Sequence, residues 1–173
     1  MVPVLQTERL LLRAHEQADH ASCLALWGHP EVTRYIGGRP STSEEVWSRI
    51  LRYAGHWQML GFGYFAVIEQ ESGALIGEVG LADFRRDIEP RLDVPEAGWV
   101  FHPDWHGKGL AHEAVSALLE WGNGRDMGRL ACLIDPGNAA SLALAGRLGF
   151  GETARVQYHG TQSILLHRAA QRA

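Results

Sequence analysis

The stretch from Trp99 to Trp121, W-V-F-H-P-D-W-H-G-K-G-L-A-H-E-A-V-S-A-L-L-E-W, constrains this chain more than any other. Trp99, Val100 and Phe101 form an apolar, β-prone run. His102-Pro103-Asp104 ends it, because proline cannot donate to a sheet ladder. From Leu110 the period changes to that of a helix. Leu110, Ala114 and Leu118 share one face, and His112, Glu113, Ser116 and Glu120 lie mostly on the other. Between strand and helix sits His106-Gly107-Lys108-Gly109. Glycines there permit a sharp turn and close approach of a ligand to the main chain. The first helical turn leaves its N–H groups without intrahelical partners, and the macrodipole adds positive potential. A strand, a glycine loop and a helix N-terminus in this order make an anion site suited to phosphate.

Two familiar phosphate loops do not fit. A Walker loop needs glycine at 102 and Ser or Thr at 109, where this chain has His102 and Gly109. The dinucleotide fingerprint needs Gly or Ala at 112, where it has His112. His106-Gly107-Lys108-Gly109-Leu110-Ala111 instead resembles the acetyl-coenzyme-A loop of the GNAT acetyltransferases, [Q/R]-x-x-G-x-[G/A]. Gly109 and Ala111 match, and His106 departs from the first position. Ala111-His112-Glu113-Ala114 is similar to the A-T-E-A of the branch holding the ribosomal-protein N-terminal acetyltransferases (RimJ/RimL-type). A second signature, N-x-x-S followed by L-G-F, is matched by Asn138 to Ser141 and Leu148-Gly149-Phe150. The resemblance runs from about residue 6 to 168.

The remaining chain reads as alternating elements of one domain, residues 1–173. Gln6 to Ala14 suits a first strand, and Ala18 to Trp27 a short helix. Ser41 to Met59 is a helix that Ser41 or Ser43 can cap, Ser41 and Glu44 having capping-box spacing. Its Val46, Ile50, Tyr53 and Trp57 make an apolar stripe. Tyr64 to Gln70 and Ala74 to Phe84 are strands joined at Glu71-Ser72-Gly73. Arg85 to Val94 is a charged connection, read as a solvent-exposed loop or else a specificity loop. Leu130 to Ile134 is a short apolar strand, Asn138 caps the next helix, and 151 to 168 form a hairpin about Tyr158-His159-Gly160-Thr161. The order predicts an α/β (α+β) fold of the GNAT kind: a mixed, mostly antiparallel sheet of about six to seven strands flanked by helices. The strand near 96–102 should splay from the one near 130–134.

The resemblance implies acetyl transfer from acetyl-CoA to an amine by direct attack, without metal. Trp99, Val100, Phe101 and His102 match the strand that holds the pantetheine arm. His106, Gly107, Lys108, Gly109, Leu110, Ala111 and His112 match the pyrophosphate loop. Asn138 and Ser141 match positions near the sulfur. Glu96 is the first choice for a base, since relatives often place an acid there; Glu78, on the adjacent hairpin strand, is the second. Ser141 could protonate the departing thiolate or simply support the helix cap, with Tyr158 a further acid candidate. Trp27, Tyr35 and Trp57 would wall the acceptor site; otherwise the aromatic stripe is core. A non-catalytic acyl-CoA sensor or partner-binding module on the same fold is the alternative.

Other classes are excluded. A net charge of −4 offers no nucleic-acid footprint. No apolar run approaches a membrane span of about 20 residues. Cys23 and Cys132 are far apart and lack metal-site spacing, which suits reduced thiols and a cytoplasmic setting. His102, His106 and His112 cannot align on a helix face across Pro103 and the glycines, and neither H-E-x-x-H nor G-x-S-x-G occurs. The expected partner is an amine acceptor, protein or small molecule, and the expected assembly a monomer or homodimer.

Overall fold

The computed structural model describes residues 1–170. Its strands form one sheet in the order β1-β2-β3-β4-β5-β6-β8-β7. They are β1 (Leu5–Gln6), β2 (Leu10–Arg13), β3 (Tyr64–Glu69), β4 (Leu75–Ala82), β5 (Glu96–Phe101), β6 (Leu130–Ile134), β7 (Gly151–Tyr158) and β8 (Thr161–Arg168). The sheet has eight strands rather than six or seven, partly because the first predicted strand is two. Thr7 turns the chain there: its N–H donates to the Leu10 carbonyl at 2.9 Å, and its hydroxyl accepts from the Leu10 N–H at 3.0 Å. All neighbouring strands run antiparallel except β5 and β6.

That one parallel junction is also the weakest. β5 and β6 share a single register pair, Glu96 with Ala131. The N–H of Ala131 also donates to the Pro95 carbonyl at 3.0 Å. From there the strands diverge, as the sequence predicts, and the backbone of Gly98 to Phe101 is left without ladder partners on that side. Unpaired backbone groups inside a fold demand other partners. The gap thus leaves strand N–H and C=O groups open to other partners.

Helices cover both faces. α4 (Leu110–Asn123) and α5 (Ala139–Arg147) lie on one, where Leu110, Ala114, Val115, Leu118 and Leu144 join Leu10, Leu12, Phe65 and Val79 in the main core. On the other, α1 (His20–Trp27) and α3 (Ser43–Leu60) pack Cys23, Leu26, Trp27, Val46 and Ile50 against Val100. A short helix α2 (Pro30–Thr33) links them. The cap of α3 is Thr42, between the two serines expected. Thr42 Oγ1 accepts from the Glu45 N–H, and the Glu45 carboxylate accepts from the Thr42 N–H, closing a capping box. Three adjacent hydroxyls and two adjacent glutamates leave that register undecided by composition alone.

Residues 85–94 are not simply a solvated loop. Ile88 is buried against Ala131, Val156 and Leu165, and Arg86 turns in to pair with Glu96. No helix of the described residues is long and apolar enough to cross a membrane.

Candidate functional site

The glycine loop has the geometry its residues call for. Gly107 and Gly109 adopt φ of +74° and +77°, a left-handed conformation that side chains disfavour. Gly109 is the N-cap of α4 and has no side chain to cap it. The N–H groups of the first turn therefore stay available to an anion. The loop is braced from the turn between β1 and β2. Arg9 Nη1 donates to the Lys108 carbonyl at 2.9 Å, and Arg9 Nε donates to Glu113 Oε2 at 2.7 Å. Glu113, in the first turn of α4, also accepts from Thr7 Oγ1 at 2.6 Å. His106 Nε2 lies 2.9 Å from the Phe101 carbonyl, so that nitrogen carries the proton and donates. His102 faces His29 with ring centroids 5.1 Å apart. The three histidines thus do not converge. Lys108 is exposed, its Nζ 4.6 Å from the centre of the Trp105 ring.

Across the gap, α5 starts at Asn138. Its Oδ1 accepts from the Ser141 N–H at 3.1 Å, the predicted cap. The Ser141 hydroxyl faces the other way and accepts from the Trp99 indole N–H at 3.3 Å.

On the α1 and α3 side the gap opens into a cavity of about 740 Å³. Trp27, Tyr35, Trp99, Glu96, Ser141 and Tyr158 all contribute to its wall. Trp57 does not: it packs on Phe65 and Trp121 with centroids 4.9 and 5.5 Å away, and donates its N–H to the Tyr64 carbonyl. Its place is the core that the apolar stripe implied. Gly98 also lines this cavity, and only glycine fits there: a Cβ would collide with the Tyr64 hydroxyl oxygen.

The two carboxylates occupy the same face of the sheet in different settings. Glu96 reaches the cavity with both oxygens held by Arg86, Nε at 2.5 Å and Nη2 at 2.7 Å. Glu78 is completely buried behind the wall. Its Oε2 accepts from Trp27 Nε1 at 3.0 Å and from the Tyr53 hydroxyl at 2.9 Å, while Oε1 lies 3.2 Å from His15 Nε2. Burial pushes its carboxyl up, but hydrogen bonding and charge from His15, with Arg49 and Trp27, outweigh that and leave it below the ordinary value. Cys23 completes this cluster, with ligand-type atoms of His15, Cys23 and Glu78 within 4.8 Å of one another. Burial and the Glu78 charge push the Cys23 thiol well up, so it stays protonated in this setting.

Sequence reasoning singled out Glu78 but not its partners His15 and Tyr53, nor Arg86, nor Arg34, Arg49 and Arg52 on the cavity wall. The available signal was a charged residue inside the apolar run A-L-I-G-E-V-G-L, which demands buried partners.

Comparison with known proteins places the chain in a family. Residues 9–151 match the family model described as an acetyltransferase (GNAT) domain. The Bacillus subtilis protein YkkB is 33% identical over 150 residues, covering 84% of this chain and 83% of that protein. The L-methionine sulfoximine/L-methionine sulfone acetyltransferase of Salmonella typhimurium is 30% identical over 156 residues, 88% of this chain and 86% of that one. The structure of a GNAT-family acetyltransferase from Bordetella pertussis superimposes with a TM-score of 0.83 at 32% identity, over 96% of this chain and 99% of that chain.

Proposed function

Because the chain belongs to the GNAT acetyltransferase family and is an acyltransferase, we propose that it moves an acetyl group from acetyl-CoA to a primary amine by direct attack. The observation that carries this reading is the divergence of β5 from β6 after a single pair, with the braced glycine loop opening α4. Free strand N–H and C=O groups suit the amide-rich pantetheine arm, and the open first turn of α4 suits the pyrophosphate. Trp99 to His102, His106 to His112, Asn138 and Ser141 are the residues proposed to hold it. The thioester supplies an acyl group whose carbonyl is open to a nucleophile.

The chain's own residues supply position and proton handling. The acceptor must present a neutral nitrogen, although a lysine-like amine in water holds its proton up to about pH 10.4. Its lone pair forms the C–N bond, the C–S bond breaks, and the thiolate leaves with the electron pair. Glu96, the carboxylate on the cavity wall, takes the amine proton through water. Glu78, buried behind the wall, holds Trp27 and Tyr53 in place on it. Ser141 stabilises the departing sulfur, and Trp99 orients its hydroxyl. Trp27 and Tyr35 contact the acceptor. The chain works as one acetyltransferase domain.

The test is release of free thiol from acetyl-CoA in the presence of an amine panel, with the acetylated product identified by mass spectrometry. Transfer to an amine supports the proposal; coenzyme A that binds without transfer to any amine overturns it.

A further inference from the structure

The cavity is rich in cations that form no ion pair within the described part of the protein. Arg34, at the end of α2, and Arg49 and Arg52, one turn apart on α3, all line it. Among the described residues, no carboxylate lies within ion-pair distance of any of the three. The acids on the same wall are otherwise engaged. Glu96 is paired with Arg86, Asp83 is 3.2 Å from Arg85, and Asp135 Oδ1 accepts from the Gly137 N–H at 2.7 Å.

Arg49 is the most informative of them. Its guanidinium carbon sits 3.6 Å from the centre of the Trp27 ring. Stacking of this kind fixes the plane of the group while leaving its N–H edge free for a planar, two-oxygen acceptor. Its Nε is buried without a hydrogen-bond partner. A buried donor left unmade is costly. The guanidinium is thus held here without a full set of protein partners, and an arriving carboxylate at its terminal nitrogens would supply charge-assisted ones. Glu78 is not the missing partner: its oxygens are taken by Trp27, Tyr53 and His15. Arg52 stacks more loosely on Phe84, at 5.0 Å, one helical turn further along the wall.

Resting on the acetyl-transfer reading above, we propose that the acceptor is a small amine that also carries a carboxylate, of the free amino-acid class, with the carboxylate on Arg49 and Arg52. Three unpaired guanidinium groups repel a polycation. They also disfavour the protonated form of a nearby amine, which helps produce the neutral nucleophile. A cavity of this size takes a small molecule more readily than a folded surface.

The experiment compares acetylation of the L-amino acids with that of their carboxamides, their decarboxylated amines, spermidine and short peptides with free N-termini. Acetyl-CoA binding is followed separately by calorimetry. The expected result is at least one amino acid used in preference to its own carboxamide by about 10-fold or more in kcat/KM, the scale of a charge-assisted hydrogen bond. Arg49→Met should raise KM for that acid about 10- to 100-fold and abolish the preference over the carboxamide, with Arg49→Lys restoring part of it. Should Arg49→Met fold poorly, Arg52→Gln, at an exposed position, provides the same readout. Equal or better use of carboxamides, spermidine or peptides overturns this inference and leaves acetyl transfer standing. Unchanged discrimination in both arginine variants overturns it too. Transfer to no amine at all defeats the acetyl-transfer reading itself, and this inference with it.

Discussion

Trp99 and Ser141 meet across the gap between β5 and α5, with the indole N–H donating to Oγ at 3.3 Å. One lone pair of the hydroxyl is thereby fixed, and its proton is free to point into the gap where a leaving thiolate would form. Ser141→Ala should lower kcat by about fivefold, the worth of one neutral hydrogen bond near 1 kcal/mol. Steady-state kinetics with calorimetry check this, since coenzyme A affinity should stay nearly constant.

Gly109→Val tests the loop. A β-branched residue at φ of +77° costs about 1–2 kcal/mol in backbone strain. The expected outcome is a folded protein whose affinity for coenzyme A falls about 10-fold or more, because relief of the strain moves the N–H groups out of line. Calorimetry on protein of unchanged circular dichroism provides the measurement.

Glu96→Gln keeps the shape of the side chain and removes its basicity. Turnover should fall about 10²–10⁴-fold, the usual range for a lost general base. The acidic limb of the pH–rate profile should flatten, and coenzyme A should bind as before. Normal turnover in Glu96→Gln beside a loss in Glu78→Gln would transfer the role to Glu78, acting through its hydrogen-bond partner Tyr53, a residue of the cavity wall.

The buried carboxylate also sets an acid limit on stability. The Glu78 carboxyl lies below its ordinary value in the fold, and so do those of Asp19, paired with Arg13, and Glu113, held by Thr7 and Arg9. A group depressed in this way stabilises the fold fully above its unfolded value, about 4 for carboxyls. That stabilisation is lost as pH falls through the folded value. Thermal melting temperature should therefore drop below about pH 4. Glu78→Leu, which strands Trp27, Tyr53 and His15, should cost about 3–5 kcal/mol at neutral pH by denaturant titration.

Local chemistry made much of this readable from the residues. The glycine loop, the Asn138 cap and the hairpin at His159-Gly160 each depend on neighbours a few positions apart, and each lies where its sequence puts it. The divergence of β5 from β6 followed from the order of elements together with the resemblance. What could not be read was pairing across distance. Glu78 finds Trp27, Tyr53 and His15 at separations of 51, 25 and 63 residues, and no periodicity connects them. The pairing of Arg86 with Glu96 spans only ten residues. It was hidden because a charged run with one proline reads as solvated, and only the burial of Ile88 turns it inward.

The brace from Arg9 to the Lys108 carbonyl joins positions 99 residues apart. Ordering a free loop would cost about 1–2 kcal/mol per residue at the moment of binding. Here that entropy is surrendered during folding, when β2 docks beside α4, so the proposed pyrophosphate would meet a loop already ordered. On the proposed reading, grip on acetyl-CoA is therefore inherited in part from the first dozen residues. Trimming or tagging that end should loosen the grip chiefly through faster dissociation, leaving the hydrogen bonds of the loop itself intact.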